Sequence, residues 1–312
     1  MKKIVCLLSV ILSVLLIGGC GQQEAKSEGQ LGELTIGLMP DTNSLPFIIA
    51  QEKGYFKEEG VKVNLQQFKS AMDRDAALQS GNIEGAVSDL LAVAFAKDGG
   101  FDVKVTSATD GTFKLVGGKE LETADVTALK GKDVAVSKNT IVEYVTDQIL
   151  AANHMPPDSI NKVVIPQIPT RLEMLQNGKL AGATMPEPMG SIAIANGCKN
   201  IISSDDLGIN PGVLMFTAKS AQDKQEAIKA MYRAYNKAVD YLNTADRSEY
   251  IDLVVEKGGF PPTAKEALVL PKYRKAVLPT DKDVADCMNW LFAKQLVKTN
   301  YSYQDIVADI LK

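Results

Sequence analysis

The sequence has few of the side chains that carry metal-dependent or nucleophilic chemistry. It has one histidine, His154, and four cysteines among 312 residues. A zinc site needs clustered Cys and His ligands, and a catalytic triad needs a histidine beside its nucleophile. A glycine-rich phosphate-binding motif is also missing from the sequence. We therefore expect no catalytic residue, no metal ion and no cofactor.

The sequence also lacks an excess of positive charge. It has 34 Lys and Arg against 38 Asp and Glu, a formal net charge of -4, and no basic stripe interleaved with aromatic residues. This balance excludes nucleic acid as an expected partner. The hydrophobic content of 46% and the charged content of 23% are those of an ordinary globular protein. The length is sufficient for two lobes with their own cores.

Only one long apolar run is present, Ile4–Ile17, and it follows a short basic start. It is too short to span a bilayer comfortably, and it ends in Ile17-Gly18-Gly19-Cys20, which resembles the bacterial lipoprotein processing signal. We predict a signal peptide over residues 1–19, lipidation of Cys20 and a flexible polar tether over 20–32. The alternative is a plain secretory signal with an incidental cysteine. Either interpretation places the protein outside the cytoplasm, and the first anchors it to the membrane by lipid alone.

Two cysteines, Cys198 and Cys287, lie beyond the N-terminal segment. An oxidising compartment would permit a disulfide between them, and burial as two free thiols is equally compatible with the sequence. The sequence leaves both states open.

A short motif occurs twice in the chain. Leu78–Asp89 reads LQSGNIEGAVSD, and 97 positions later Leu175–Pro186 reads LQNGKLAGATMP. Five positions are identical, namely Leu78/Leu175, Gln79/Gln176, Gly81/Gly178, Gly85/Gly182 and Ala86/Ala183. Each copy is typical of a helix end, a glycine C-cap and a short apolar strand. A match at a fixed distance indicates a repeated structural unit.

The sequence around both copies predicts the same order of elements, strand–helix–strand–helix–strand–helix. The predicted strands cover residues 34–38, 61–67, 133–136 and 162–167, and the predicted helices cover about 45–53, 90–97, 141–153 and 189–196. Such alternation predicts an α/β fold of two mostly parallel sheets with right-handed crossovers. Ligands of open α/β sheets lie beyond the carboxyl ends of the strands, so two facing units would share one cleft.

The predicted lobes are discontinuous in sequence. We assign 33–112 and 213–312 to lobe 1 and 113–212 to lobe 2. Two extended apolar segments, Thr112–Gly117 and Val213–Thr217, are predicted to cross between the lobes. Two such connections allow a hinge to close around a ligand.

Polar residues follow the predicted strands and precede helices, where they could cap the helices or face a ligand. They occur in the loop Pro40-Asp41-Thr42-Asn43-Ser44, at Ser88 and Asp89, and in the loop containing Ser137, Asn139 and Thr140. Their side-chain oxygens and the free helix N–H groups are suited to capping or to holding a sulfonate or carboxylate group. For Asp89 we favour the capping role, and for Ser88 a ligand contact.

Glu187 lies between two prolines in Met185-Pro186-Glu187-Pro188, at the start of a predicted helix. One interpretation is that its carboxylate only complements the positive end of the helix dipole. The other is that it accepts hydrogen bonds from N–H or ammonium groups of a nitrogen-bearing ligand. The basic residues Lys69 and Arg74 would suit an anion, but we predict a solvated surface role for both. Pro169-Thr170 is predicted to cap the helix that leads into the second copy of the motif.

Two stretches carry a family resemblance. They are AQEKGYFKEEGVKV at residues 50–63 and GNIEGAVSD at residues 81–89. Together with the N-terminal signal they resemble the solute-binding proteins of ABC importers in the nitrate, taurine, alkanesulfonate and thiamine-pyrimidine group. The resemblance covers nearly the whole chain beyond the tether. It implies a two-lobed periplasmic-binding-protein fold of type II.

The resemblance also implies a function. The protein would be a monomer that binds a small polar solute, sulfonate-like or thiamine-pyrimidine-like, and delivers it to a permease and its ATPase. In this family the loop after the strand predicted at residues 61–67 borders the ligand, which adds the backbone N–H groups of Ser70 and Ala71 to the candidate contacts. Two alternatives remain. One is an enzyme of the same fold with Asp89 or Glu187 as general base, acting on a pyrimidine-like substrate. The other is a sensory binding subunit.

Overall fold

The structure is a computed structural model and describes residues 29–312. The predicted signal peptide and Cys20 lie outside the described residues. The strands are β1 (Glu33–Leu38), β2 (Lys62–Gln67), β3 (Gly85–Asp89), β4 (Val103–Ala108), β5 (Phe113–Gly117), β6 (Asp133–Val136), β7 (Asn161–Val164), β8 (Gly182–Pro186), β9 (Lys199–Ser203) and β10 (Gly212–Thr217).

Helices cover both sheets. The α-helices are α1 (Leu45–Glu52), α2 (Tyr55–Glu58), α3 (Ala71–Gln79), α4 (Leu90–Asp98), α5 (Ile141–Ala152), α6 (Ile168–Gln176), α7 (Met189–Ala195), α8 (Ala218–Asp223), α9 (Gln225–Thr244), α10 (Arg247–Lys257), α11 (Ala264–Ala267), α12 (Asp281–Ala293) and α13 (Tyr303–Ile306).

The strands form two five-stranded sheets with the same plan. The orders are β2-β1-β3-β10-β4 and β7-β6-β8-β5-β9. In the first sheet β10 runs antiparallel to both neighbours, and in the second β5 does the same, while the other pairs are parallel. The predicted α/β fold of two mostly parallel sheets is confirmed. We call the first sheet with its helices lobe 1 and the second sheet with its helices lobe 2.

The repeated motif corresponds to a repeated unit of structure. Helix α6 spans the residues of α3 displaced by 97 positions, and β8 spans those of β3 displaced by the same number. Gly81 and Gly178 follow the two helices with φ of 76° and 69°. A side chain with a Cβ is strained in this left-handed region, so glycine at both positions lets the helix end and the chain turn into the strand.

The crossings between the lobes precede the predicted segments and overlap them only at Thr112. Phe113–Gly117 and Gly212–Thr217 are strands inside the two sheets, and the chain crosses at residues 109–112 and 204–211. The prediction was wrong here because the apolar residues of both segments pair with strands on either side. An extended apolar segment therefore marked the antiparallel strand that follows each crossing.

Two smaller expectations also differ from the structure. The tether predicted through residue 32 ends earlier, since Leu31 N–H donates to Gly60 O at 2.9 Å and its side chain packs on the core. Helix α6 begins at Ile168 with Gln167 as its N-cap, so Pro169-Thr170 lies inside the helix and does not cap it. Proline is tolerated there because the N–H groups of the first turn have no partner within the helix.

The buried apolar side chains form two clusters, and each contains residues of both sheets. Cys198 belongs to one cluster and Cys287 to the other, and both are buried free thiols. In the described part of the chain no helix combines the length and apolar character needed to cross a membrane.

Candidate functional site

A small cavity lies where the carboxyl ends of the two sheets face each other. Its volume is about 40 Å³, room for on the order of three waters. Its walls come from the segments that follow β1, β6 and β7, from the carboxyl ends of β3 and β8, from the start of β5, and from α3, α5 and α6. The lining residues are Met39, Asp41, Asn43, Ala71, Arg74, Val87, Ser88, Asp89, Phe113, Ser137, Thr140, Ile141, Val142, Pro166, Ile168, Arg171 and Pro186. This is the position at which open α/β sheets bind ligands.

The two lobes contact each other around this cavity. Thr42 N–H of lobe 1 donates to Glu187 O of lobe 2 at 2.9 Å. Ile168 N–H of lobe 2 donates to Lys69 O of lobe 1 at 3.2 Å. Gln167 Nε2 donates to Asp73 Oδ2 at 3.1 Å. These bonds join opposite walls, so the cleft is closed in this conformation.

The structure brings about half of the predicted site residues to the cavity wall. Those in the wall are Asp41, Asn43, Ala71, Ser88, Asp89, Ser137 and Thr140. Those outside it are Pro40, Thr42, Ser44, Ser70, Asn139 and Glu187. The second group lies in the same loops, one or two residues away from the wall.

The loop after β1 is held by its own polar groups. Ser44 Oγ accepts a hydrogen bond from Met39 N–H at 3.1 Å and lies 3.5 Å from Asp41 Oδ1. Burial raises the pKa of Asp41 to about 6, although the Asn43 hydrogen bond and the Arg74 charge act in the opposite direction. Asp41 therefore carries a carboxyl group whose charge is costly in the closed cleft.

Ser88 and Asp89 have different roles at the end of β3. Asp89 Oδ1 accepts from Ala92 N–H at 2.9 Å, which confirms the predicted cap of α4. Burial raises the pKa of Asp89, and the Arg74 charge opposes this. The buried Ser88 hydroxyl has no hydrogen-bond partner among residues 29–312. A buried hydroxyl of this kind is available to a ligand, because leaving it unpaired costs free energy.

In lobe 2 the loop before α5 supplies the N-cap residue of that helix, Thr140. Thr140 Oγ1 accepts from Val142 N–H at 3.2 Å and donates to Ser137 O at 2.8 Å. Asn139 has a positive φ of 57°, and its N–H donates to Glu143 Oε2 at 2.8 Å. In lobe 1 Ser70 caps α3 by accepting from Asp73 N–H at 3.2 Å, as predicted. The hydroxyls of Ser70 and Thr140 are thus occupied within their own helices.

The carboxylate of Glu187 binds other residues of lobe 2, just outside the cavity wall. Its carboxylate forms an ion pair with Lys114 on β5, accepts from Ser191 N–H at 2.9 Å and accepts from Ser191 Oγ at 2.7 Å. These contacts join the start of α7 to the neighbouring strand. The helix-start interpretation of Glu187 describes this arrangement.

Two arginines in the cavity wall were missed or misjudged from the sequence. Arg74 on α3 was predicted to be solvated, but only 3% of it is exposed, and its Nη1 donates to Val87 O at 3.2 Å. Arg171 on α6 was not proposed at all, and it is fully buried. The repeat offered a signal for both, because Arg74 and Arg171 are 97 positions apart like the matched leucines.

Another, larger groove is found elsewhere. It has a volume of about 580 Å³ and lies beside Gly118–Glu122, Lys132, Asp133 and Gly178–Ala181. These residues adjoin the amino ends of β6 and β8, opposite to the edge at which ligands of such sheets bind. Among residues 29–312 no group of three or more His, Cys, Asp or Glu is placed to hold a metal ion. The cavity between the lobes is therefore the candidate site.

Comparison with known proteins places the chain in a family. The sequence model of the NMT1/THI5-like family matches residues 41–246, well over half of the chain, and the protein belongs to this family. A relative in Brachyspira hyodysenteriae (strain ATCC 49526 / WA1), named as a candidate ABC transporter periplasmic binding protein, is 26% identical over 256 residues. That alignment covers 77% of this chain and 74% of the relative.

Solved structures share the fold at low sequence identity. The alkanesulfonate-binding protein SsuA from Xanthomonas axonopodis pv. citri, bound to MOPS, matches with a TM-score of 0.77 at 16% identity over 91% of this chain and 100% of that one. The periplasmic nitrate-binding protein NrtA from Synechocystis PCC 6803 matches with a TM-score of 0.69 at 15% identity over 86% and 82%. The resemblance to solute-binding proteins of ABC importers, first drawn from the sequence, is confirmed.

Proposed function

We propose that this protein is the extracytoplasmic solute-binding component of an ABC importer and that it binds one small polar solute between its lobes. The observation that carries the proposal is the closed cavity at the carboxyl ends of both sheets, lined by buried polar groups. The family match and the name of the Brachyspira relative support the transport role. Such a role requires capture and release, and no bond in the solute is changed.

Closure of the cleft would connect binding to transport. The lobes are joined by the crossings at residues 109–112 and 204–211, and two short connections permit a hinge motion. A solute that contacts both walls favours the closed form, because its contacts are complete only there. The closed pair of lobes would then dock on the permease. The cavity of about 40 Å³ admits only a compact solute. A larger solute would require the lobes to close less tightly than they do in this conformation.

The proposed location depends on the N-terminal segment. Cleavage before Cys20 and lipidation of its thiol would anchor a monomeric protein to the outer face of the cell membrane. Cys20→Ser should then move the protein from the membrane fraction to the soluble extracytoplasmic fraction. Retention of this variant in the membrane fraction would contradict the anchor.

A matched pair of tryptophan substitutions on α3 tests the cleft as the binding site. Ala71 lines the cavity, and its neighbour Met72 is 65% exposed. Ala71→Trp should weaken binding at least about tenfold, because the indole fills space that the solute needs. Met72→Trp should leave the Kd unchanged. Calorimetric titration of both variants with a panel of sulfonates, carboxylates, aminopyrimidines and amino acids provides the measurement.

The control for folding is the thermal unfolding midpoint of each variant without solute. An unchanged Kd in Ala71→Trp, for a solute that binds the unsubstituted protein saturably, would exclude the cavity as the site. Failure of every compound class to bind the unsubstituted protein would count against the transport role itself.

A further inference from the structure

Arg171 is a buried cation with one side of its guanidinium group unused. It is fully buried on α6 and lines the cavity. Nη1 donates to Ile165 O at 3.2 Å, whereas Nε and Nη2 have no hydrogen-bond acceptor among residues 29–312. Nε and Nη2 form the side of the guanidinium that presents two parallel N–H groups. Two adjacent donors are thus left without partners in the described part of the chain.

No carboxylate of the described chain compensates this charge. Arg171 takes part in no ion pair within residues 29–312, and burial alone lowers its pKa to about 10. The two acidic residues of the cavity wall, Asp41 and Asp89, belong to lobe 1, where they interact with Arg74. The charge of Arg171 is therefore buried at a free-energy cost, which a bound anion would offset.

The free side of the guanidinium has a specific chemical complement. Carboxylate and sulfonate groups present two oxygens at the spacing of two parallel N–H donors and bind arginine in a bidentate manner. We infer that Arg171 is the anion receptor of the cleft and that the solute carries an oxyanion, a carboxylate or a sulfonate, bound by Nε and Nη2. This inference rests on the proposed function, because it names the class of solute for the same cavity.

A second unpaired group lies on the opposite wall. The Ser88 hydroxyl of lobe 1 lines the same cavity and lacks a partner among residues 29–312. A solute held by Arg171 in lobe 2 and by Ser88 in lobe 1 bridges the cleft. Binding of the oxyanion would then favour closure directly, since neither lobe alone offers both groups. The same buried cation repels solutes that carry only positive charge.

Paired probes test the inference. Each small carboxylate or sulfonate in the panel is compared with its uncharged amide or sulfonamide by calorimetric titration. At least one oxyanion should bind saturably, and its uncharged partner should bind on the order of 100-fold more weakly, the usual effect of losing one side of a buried charged contact. Sulfonates and carboxylates are separated by which member of the panel binds.

The variants identify the residue. Arg171→Met should weaken oxyanion binding on the order of 100-fold, and Arg171→Lys should retain part of the affinity because it keeps the charge but loses the bidentate geometry. Arg233→Met on α9 is the control, since Arg233 is exposed and pairs with Glu59 far from the cleft. Its Kd should be unchanged. Tighter oxyanion binding by Arg171→Lys than by Arg171→Met would also show that the loss of affinity reflects the missing charge and not a loss of folding.

The outcomes separate the inference from the proposed function. Preferred binding of uncharged or cationic probes, with an unchanged Kd in Arg171→Met, would overturn the anion receptor and leave the solute-binding role intact. Absence of saturable binding by any probe class would overturn both. Oxyanion binding that is equally weakened in Arg171→Met and Arg233→Met would also overturn it, because a general loss of positive charge would then explain the effect.

Discussion

The two lobes place an arginine at the same position of the repeated unit and treat it differently. In lobe 1, Arg74 Nε donates to Asp75 Oδ1 at 2.9 Å, and Nη2 lies 2.8 Å from the same oxygen. In lobe 2, the residue after Arg171 is Leu172, and the corresponding side of the guanidinium is unpaired. The Nε donor that binds a carboxylate in lobe 1 has no acceptor among residues 29–312 in lobe 2.

The difference extends to the strand that precedes the next helix. Asp89 ends β3 and attracts Arg74, whereas the equivalent end of β8 is Pro186. For Arg74 burial lowers the pKa, but the attraction of Asp75 and Asp89 outweighs it, and the pKa is raised overall. For Arg171 burial acts alone. The frame of the repeat is kept in both lobes, while the acidic partners are present in only one.

The same frame holds an arginine in two different electrostatic environments. In lobe 1 the arginine stabilises the fold by balancing buried carboxylates. In lobe 2 the lowering of the pKa of Arg171 to about 10 corresponds to a cost of about 3 kcal/mol in the absence of an anion. Such a cost to stability is typical of residues kept for function, as the proposed anion receptor would be.

The largest expected effect comes from removing each arginine in turn. Arg74→Met should lower the free energy of unfolding by about 3–5 kcal/mol, because it leaves buried carboxylates unpaired. Arg171→Met should raise it by about 1–3 kcal/mol without solute, because it removes an uncompensated charge. Urea denaturation at neutral pH measures both. A similar loss in the two variants would abolish the contrast between the lobes.

A smaller effect is expected from the acidic side of lobe 1. The pKa of Asp41 is about 6 in the folded protein against an ordinary 3.8, so between these values the folded state holds more protons than the unfolded state. Stability should therefore fall as the pH rises from about 4 to about 6, by up to about 3 kcal/mol.

Asp41→Asn should reduce this pH dependence, since the amide does not titrate. Denaturation curves at several pH values, for the unsubstituted protein and for Asp41→Asn, give the comparison. An identical pH dependence in the two proteins would show that Asp41 is not the group responsible.

The smallest expected effect comes from giving lobe 2 the partner it lacks. Leu172→Asp places a carboxylate at the position of the repeat that Asp75 occupies in lobe 1, where Asp75 binds Arg74 Nε. Leu172→Asn removes the same buried leucine without adding charge and serves as the matched control. Oxyanion affinity should be about 10- to 100-fold weaker in Leu172→Asp than in Leu172→Asn, because the new acid competes for the same donors. Equal oxyanion affinities in the two variants would contradict the view that a missing carboxylate at position 172 leaves the donors of Arg171 free for the solute.

Much of the frame was predictable because it depends on local patterns. Glycine C-caps, apolar strands and the 97-residue repeat indicated the paired sheets, and a hydroxyl or carboxylate before a helix correctly indicated caps at Ser70 and Asp89. The antiparallel strands were mistaken for crossings, because pairing on both sides is a property of the sheet and not of the segment.

The chemistry of the site depended on information that no short pattern contains. Arg74 resembled a surface residue because its burial depends on contacts with residues distant in sequence, such as Val87 O. Lys114, which forms an ion pair with Glu187, lies on a strand 73 positions earlier in the chain. The lack of an ion pair at Arg171 among residues 29–312 results from the packing of the whole lobe, which the residues around position 171 do not specify.

The placement of β10 between β3 and β4 has a consequence for biogenesis. All five strands of the second sheet lie between Phe113 and Ser203. The first sheet is complete only when β10 (Gly212–Thr217) pairs with both β3 and β4. During synthesis, lobe 2 can therefore complete the hydrogen bonds of its sheet before lobe 1, although lobe 1 begins earlier in the chain. Until then β3 and β4 present unpaired edges, and such edges are where a nascent chain is exposed to mispairing.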